Sequence, residues 1–326
     1  MDIRDKLKAY TDKDDRIASA SFFGTFAVYG VSLYLAVTHA GLWYALLPMM
    51  LVHAFASVRL YVLQHDCGHN SLFSTRTAND LAGQALSLVT FAPYAAMRHN
   101  HNLHHSHLGN LDHRETGEIH TMTLREWNEA GFAQRLAYRL YRNPFILIPL
   151  GALFTYFIRY RWPKNAGSVG PGAVFLHNLA ILGYVVVLYQ LFGGPGLLIW
   201  FTSALIGGMI GVFMVYLQHN FEDTYWDIKP DLNPRIAALQ GSSALDLGFL
   251  MDLGSANIAY HDIHHFNANI PSYRLRRCHQ DIREEYGLRT IRWPEALRSF
   301  TLKLWDEDAE RLVPFPRENE RNIVSA

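Results

Sequence analysis

The residues most able to do chemistry in this chain are its histidines. There are 17 of them among 326 residues, about twice the ordinary share. Eight fall into three short boxes: His65 and His69; His101, His104 and His105; His261, His264 and His265. The spacing is i, i+3, i+4, which on a helix places side chains on one face a turn apart. Each box is therefore expected to offer two or three imidazole nitrogens to one point. At this histidine content, His-x-x-His-His is expected only about 0.05 times by multiplication of frequencies, and it occurs twice.

A lone histidine is commonly a satisfied core or surface residue. Eight grouped ones are different, because buried imidazoles crowd donors against acceptors unless a cation takes one nitrogen of each. Eight ligands exceed what one ion accepts, so the count implies two ions. Asp66 and Asp262, inside the boxes, are candidate hydrogen-bond partners behind the ligands, and exposed helix charges are the alternative reading. There is no His-Glu-x-x-His of a zinc protease and no Glu-x-x-His pair of a carboxylate-bridged iron site. An all-histidine pair of ions fits redox chemistry with O2 better than hydrolysis.

Such clusters need rigid elements, and the charge pattern indicates which. No Asp, Glu, Lys or Arg occurs from Ile17 to Val58, or from Asn165 to Phe221. Each block has about the length of two membrane-spanning helices of roughly 20 residues and a turn. The turns fall near Thr38-His39-Ala40-Gly41 and at Gly193-Gly194-Pro195. The expected architecture is an all-α membrane protein with four transmembrane helices in two hairpins and a cytosolic helical domain carrying the boxes. Its segments are an arm at 1–16, a hairpin at 17–63, a cytosolic or interfacial segment at 64–170 with two boxes, a second hairpin at 171–218, and a C-terminal segment at 219–326 with the third box. The spans are expected at 17–37, 42–63, 172–192 and 197–217. Leu81–Met97 and Asn143–Ile158 are apolar but short and contain proline, which predicts helices lying on the cytoplasmic face, with Arg159, Arg161 and Lys164 beside headgroups.

Lys and Arg are absent from both turns and abundant in the arm, the central segment and the C-terminal third. Basic residues are retained on the cytoplasmic side, so both termini and the boxes are expected there, in an inner (cytoplasmic) membrane. The first apolar run is too long for a signal peptide and lacks a small-residue cleavage site. The 29 basic residues balance the 29 acidic ones, which argues against a nucleic-acid partner. With 50% hydrophobic and 18% charged residues, disorder is excluded as well. Two distant cysteines, Cys67 and Cys278, read as reduced thiols.

The boxes, their order and their placement after apolar hairpins resemble the membrane-bound fatty acid desaturase family, in its bacterial acyl-lipid branch. The resemblance runs from about Leu60 to Cys278. It is carried by His-Asp-Cys-Gly-His-Asn-Ser-Leu-Phe at 65–73, Gly109-Asn110-Leu111-Asp112, Thr116-Gly117-Glu118, Tyr138-Arg139-Leu140-Tyr141-Arg142-Asn143-Pro144-Phe145, Leu239-Gln240-Gly241-Ser242-Ser243, Asn257-Ile258-Ala259-Tyr260 and Ile270-Pro271-Ser272-Tyr273-Arg274-Leu275. It implies two iron ions that activate O2 and a cis double bond introduced into a lipid-linked acyl chain. It also implies a ninth ligand, His219, at the end of the last span. In some relatives an asparagine one turn earlier completes the site, and here that position is Val215; Asn220 and Asn257 are the candidates to replace it. No haem-binding His-Pro-Gly-Gly, flavin fingerprint or iron–sulfur cysteine cluster is present, which implies an external donor such as ferredoxin. The alternatives are a hydroxylase, carotenoid ketolase or alkane monooxygenase on the same scaffold. A membrane metal carrier is disfavoured, because the hairpins offer only His53 and His177 as isolated polar groups. His99, His107, His113 and His120 crowd the second box without an assigned role.

Overall fold

The computed structural model describes residues 3–116, 119–162, 169–228 and 231–317. Gly117, Glu118 and Lys164, noted above, lie outside them. Among the described residues three helices are long and apolar enough to cross a membrane: Asp15–Thr38, Trp43–Gly68 and Pro171–His219. The first starts where Asp14 caps it, its carboxylate accepting the amides of Arg16 and Ile17. The second continues past the expected end at 63 and carries His65 out of the apolar stretch on a rigid element.

The third is not straight. Gly193 takes φ 65° and ψ −172°, a backbone position that glycine reaches without steric cost. Tyr184 and Trp200 would stand roughly 24 Å apart along an unbroken helix, yet their rings lie 5.9 Å apart, so the chain reverses at Gly193. Close approach continues where a Cβ on Gly207 would meet the carbonyl oxygen of Ala54 at 2.8 Å, which locks this helix against Trp43–Gly68.

The expected single helix at 81–97 is corrected to two, Arg76–Thr90 and Tyr94–Ser106. Pro93 forbids helix continuation, and Phe91 ends the first in a left-handed conformation, φ 60° and ψ 13°. Gln64 holds the break. Its Nε2 donates to Ala92 O at 2.8 Å, and its Oε1 accepts from Thr90 Oγ1 at 2.7 Å. Asn143–Ile158 is a helix at Pro144–Ala152 continued by a π-helical turn at Leu153–Ile158.

The all-helical expectation also needs correction, because short strands tie the C-terminal segment down. Met122–Thr123 pairs parallel with Leu304–Asp306, which pairs antiparallel with Arg311–Val313, and Ala244–Leu245 pairs parallel with Thr290–Ile291. Runs of two or three residues are too short for an alternating pattern to reveal. One buried cluster, including Leu217, Phe221, Ile263 and Leu275, lies under the third box. A second, including Leu33, Leu60, Leu63 and Trp200, lies among the long helices.

Candidate metal centre

The nine predicted histidines converge as two groups. His65, His69, His101, His105 and His264 form one; His104, His219, His261 and His265 form the other. Within each, the ligand nitrogens all lie within 4.8 Å of one another. The expectation that each box serves one point holds for His65 and His69 and is corrected for the other two boxes. In the second box His101 and His105, four residues apart, join the five-histidine group while His104 joins the other. In the third box His261 and His265 join the four-histidine group while His264 joins the first. Consecutive helical residues point about 100° apart, so each His-His dipeptide divides its rings between two sites.

The Nε2 atom of His101 lies 2.8 Å from that of His65 and 2.9 Å from that of His105, which lies 3.0 Å from that of His264. In the other group His265 Nε2 is 3.0 Å from His261 Nε2 and 3.3 Å from His104 Nε2. A neutral imidazole has a single N–H, so such convergence leaves lone pairs facing each other unless a cation lies between them. His219 shows the fit most directly. Its Nδ1 donates to Gly241 O at 3.0 Å, which leaves Nε2 as the lone-pair nitrogen. That Nε2, like His69 Nε2, is buried and has no hydrogen-bond partner among the described residues. The donor set suits a divalent transition metal at each point.

Electrostatics favours the neutral form of seven of these rings. Burial first, and the neighbouring imidazoles second, hold His69, His101, His104, His261 and His264 well below the usual histidine range. The same causes take His265 well below that range and His105 down to about 2. Neutral imidazole is the ligating form.

The surrounding polar residues divide differently from expectation. Asp66 sits behind the ligands, with Oδ1 3.3 Å from His65 Nδ1 and Oδ2 accepting the Ser272 amide at 2.8 Å. Asp262 turns to His279, whose Nδ1 lies 3.0 Å from Asp262 Oδ2 while Nε2 lies 2.9 Å from Thr290 Oγ1. A lone histidine in a basic helix gave no signal of this role in the sequence. Asn220 faces away from the histidines, accepting from Arg142 and donating to Ser299 O at 2.8 Å. Asn257, at φ 65°, shapes the turn that leads into the third box. His53 donates Nδ1–H to Tyr29 O at 3.0 Å, an interhelical bond.

Arg142 was legible only as part of a motif. Fully buried, it donates to Thr121 Oγ1 at 3.0 Å and His120 O at 3.1 Å, and it joins Asn220 at the end of the last long helix.

From the histidines an apolar cavity of about 330 Å³ runs between the long helices. His65, His101, His104 and His261 line it, and so do Phe91, Phe157 and Trp200. Trp200 hydrogen-bonds Tyr29, whose ring packs on His53, about 18 Å along the helix from His65, so the two sets lie towards opposite ends. Its wall on the last helix runs through Gly208 and Gly211, where an added Cβ would meet Tyr156 Cδ2 at 2.9 Å and Tyr156 Oη at 2.5 Å.

Compared with known proteins, residues 21–295 match the family described as fatty acid desaturase. The chain belongs to that family. This desaturase is 32% identical over 313 residues to a fatty acid desaturase of Bacillus subtilis (strain 168), covering 95% of this chain and 89% of that one. It is 26% identical over 307 residues to the sn-1 acyl-lipid omega-3 desaturase (ferredoxin) of Synechocystis sp., covering 88% and 81%. It is 25% identical over 266 residues to the sn-1 oleoyl-lipid 12-desaturase of Picosynechococcus sp., covering 80% and 75%. The desaturase is an oxidoreductase whose histidine clusters could hold a metal centre.

Proposed function

We propose that the chain holds two iron ions, one in each histidine group, and uses O2 to introduce a cis double bond into a lipid-linked acyl chain. The observation that carries this is the shared geometry of site and cavity: both histidine groups stand at one end of a long apolar channel. An unactivated methylene offers no acidic proton and no leaving group, so side chains alone cannot oxidise it. Bound iron supplies the oxidising power. The chain's part is to hold the metals with neutral nitrogens, to keep water away with apolar walls and to align the acyl chain past the site. Arg159 lines the same cavity and suits a lipid headgroup. Electrons come from an external donor. A ferredoxin is favoured because the Synechocystis relative carries that word in its name.

The same reading places four spans in the inner membrane, with the site and both termini on the cytoplasmic face. The reversal at Gly193 and the 49-residue length of its element support two crossings there. A Cβ on Gly196 would lie 3.6 Å from Val37 Cγ2, which supports both hairpin turns at one end of the bundle, opposite the histidines. The absence of Lys and Arg from the turns supports that end as external.

The test is total fatty acid analysis of a bacterial host expressing the chain, by gas chromatography and mass spectrometry with double-bond-locating derivatives. Metal analysis of the purified protein accompanies it. A new unsaturated species, absent with His104→Ala, and iron near two equivalents are expected. A hydroxylated or ketonic product, or zinc in place of iron, would overturn the proposal.

A further inference from the structure

Phe91 stands in an unusual position. An aromatic residue at φ 60° and ψ 13° is in a left-handed backbone conformation disfavoured for a residue with a Cβ, and such strain persists only where the surroundings over-determine it. Here they do. Arg161 donates to Phe91 O, His177 Nε2 donates to Ser87 O at 2.9 Å, and Arg161 Nη1 is fixed by Asn178 Oδ1 at 2.6 Å. Together they satisfy carbonyls at the C-terminal end of the Arg76–Thr90 helix that would otherwise lack donors. The result aims the Phe91 ring across the cavity end, 5.5 Å from Trp200 and 5.6 Å from Phe157. Trp200 is itself tied back, its Nε1 donating to the Tyr29 hydroxyl at 3.0 Å. Phe91 and Trp200 are both buried, and both line the cavity.

We infer that Phe91 is the specificity-determining end wall of the cavity, limiting the length of acyl tail that fits beyond the carbons presented to the histidines. The inference rests on the acyl substrate proposed above. The methyl end must enter first, because the ester-linked end cannot be buried among Phe91, Phe157 and Trp200 without losing its hydration. Arg161 and His177 act through Phe91 by holding its backbone.

The test expresses the wild-type chain, Phe91→Gly and Phe91→Leu in a host fed saturated fatty acids of graded length, and counts the carbons between each new double bond and the methyl end. Glycine adopts the left-handed backbone readily, so Phe91→Gly removes the ring without disturbing the turn. Phe91→Leu is the smaller change, and iron content reports folding for both. The expected result is a shift to longer tails, graded from leucine to glycine, with each additional buried methylene favoured by about fourfold. Product from the wild type with an unchanged tail profile in both variants would overturn the role of Phe91 alone, and so would loss of all product from both iron-loaded variants. No double bond from the wild type would overturn the reading of function, and this role with it.

Discussion

His104 and His105 are adjacent in the chain, yet their rings stand at 81° with centroids 5.9 Å apart, and each serves a different histidine group. The pair His264 and His265 repeats the arrangement in reverse. Each dipeptide therefore works as a strut between the two histidine groups, setting their separation through one rigid backbone.

It follows that substitutions in the two groups should empty different positions. His219→Ala removes one ligand of four and His69→Ala one of five. Iron should fall from about two equivalents to about one in either variant, with desaturation lost in both. The two half-loaded proteins should differ spectroscopically, because the remaining ion sits in the five-histidine group in the first and in the four-histidine group in the second. Equal loss of both ions from each single variant would contradict independent sites.

His279 should affect the metal without touching it. His279→Ala frees Asp262, and with it the His261–Phe266 helix, and is expected to weaken iron binding by about tenfold. His279→Asn keeps a donor near the position of Nδ1 and should restore most of that affinity. Chelator competition on the purified protein measures both.

Arg142 is a structural centre. Arg142→Met leaves Thr121 Oγ1 and Asn220 Oδ1 buried without their donor, removes the donor to His120 O and should destabilise the protein by about 3 kcal/mol. The loss is expected in thermal melts in detergent, at unchanged product position in whatever protein folds.

Lys303 gives a pH dependence. Its ammonium donates to Arg142 O at 2.6 Å, and burial first, with the Arg142 charge second, lowers its pKa to about 8. Above that pH the folded chain releases the proton, while the unfolded chain keeps it up to about 10.4. Stability should therefore rise with pH across this window, by about 2 kcal/mol at pH 10. Lys303→Met should remove the rise, which paired melting curves at pH 7 to 10 would show.

The histidine clusters were legible in the sequence because i, i+3, i+4 spacing of a scarce residue is a local signal, and the long helices were legible because charge is excluded from apolar spans over many residues. The division of each box between two groups was not, since it depends on how the Tyr94–Ser106 and His261–Phe266 helices are rotated when packed. Pro93 marked a disturbance, but the folding back at Phe91 depends on Gln64, Arg161 and His177, which lie far away in the chain. Asp262 and Asn220 looked like partners of the ligands by proximity in sequence, and tertiary packing turned them to His279 and Arg142.

Gly208 and Gly211 shape the cavity by what they lack. Every glycine codon is one nucleotide from an alanine codon, and at either position that single methyl would press on Tyr156, in a core where even one added carbon is felt. Substrate range in this scaffold is therefore exposed to point mutation at sites remote from any ligand, and lineages could diverge in the lipids they modify while every histidine stays in place.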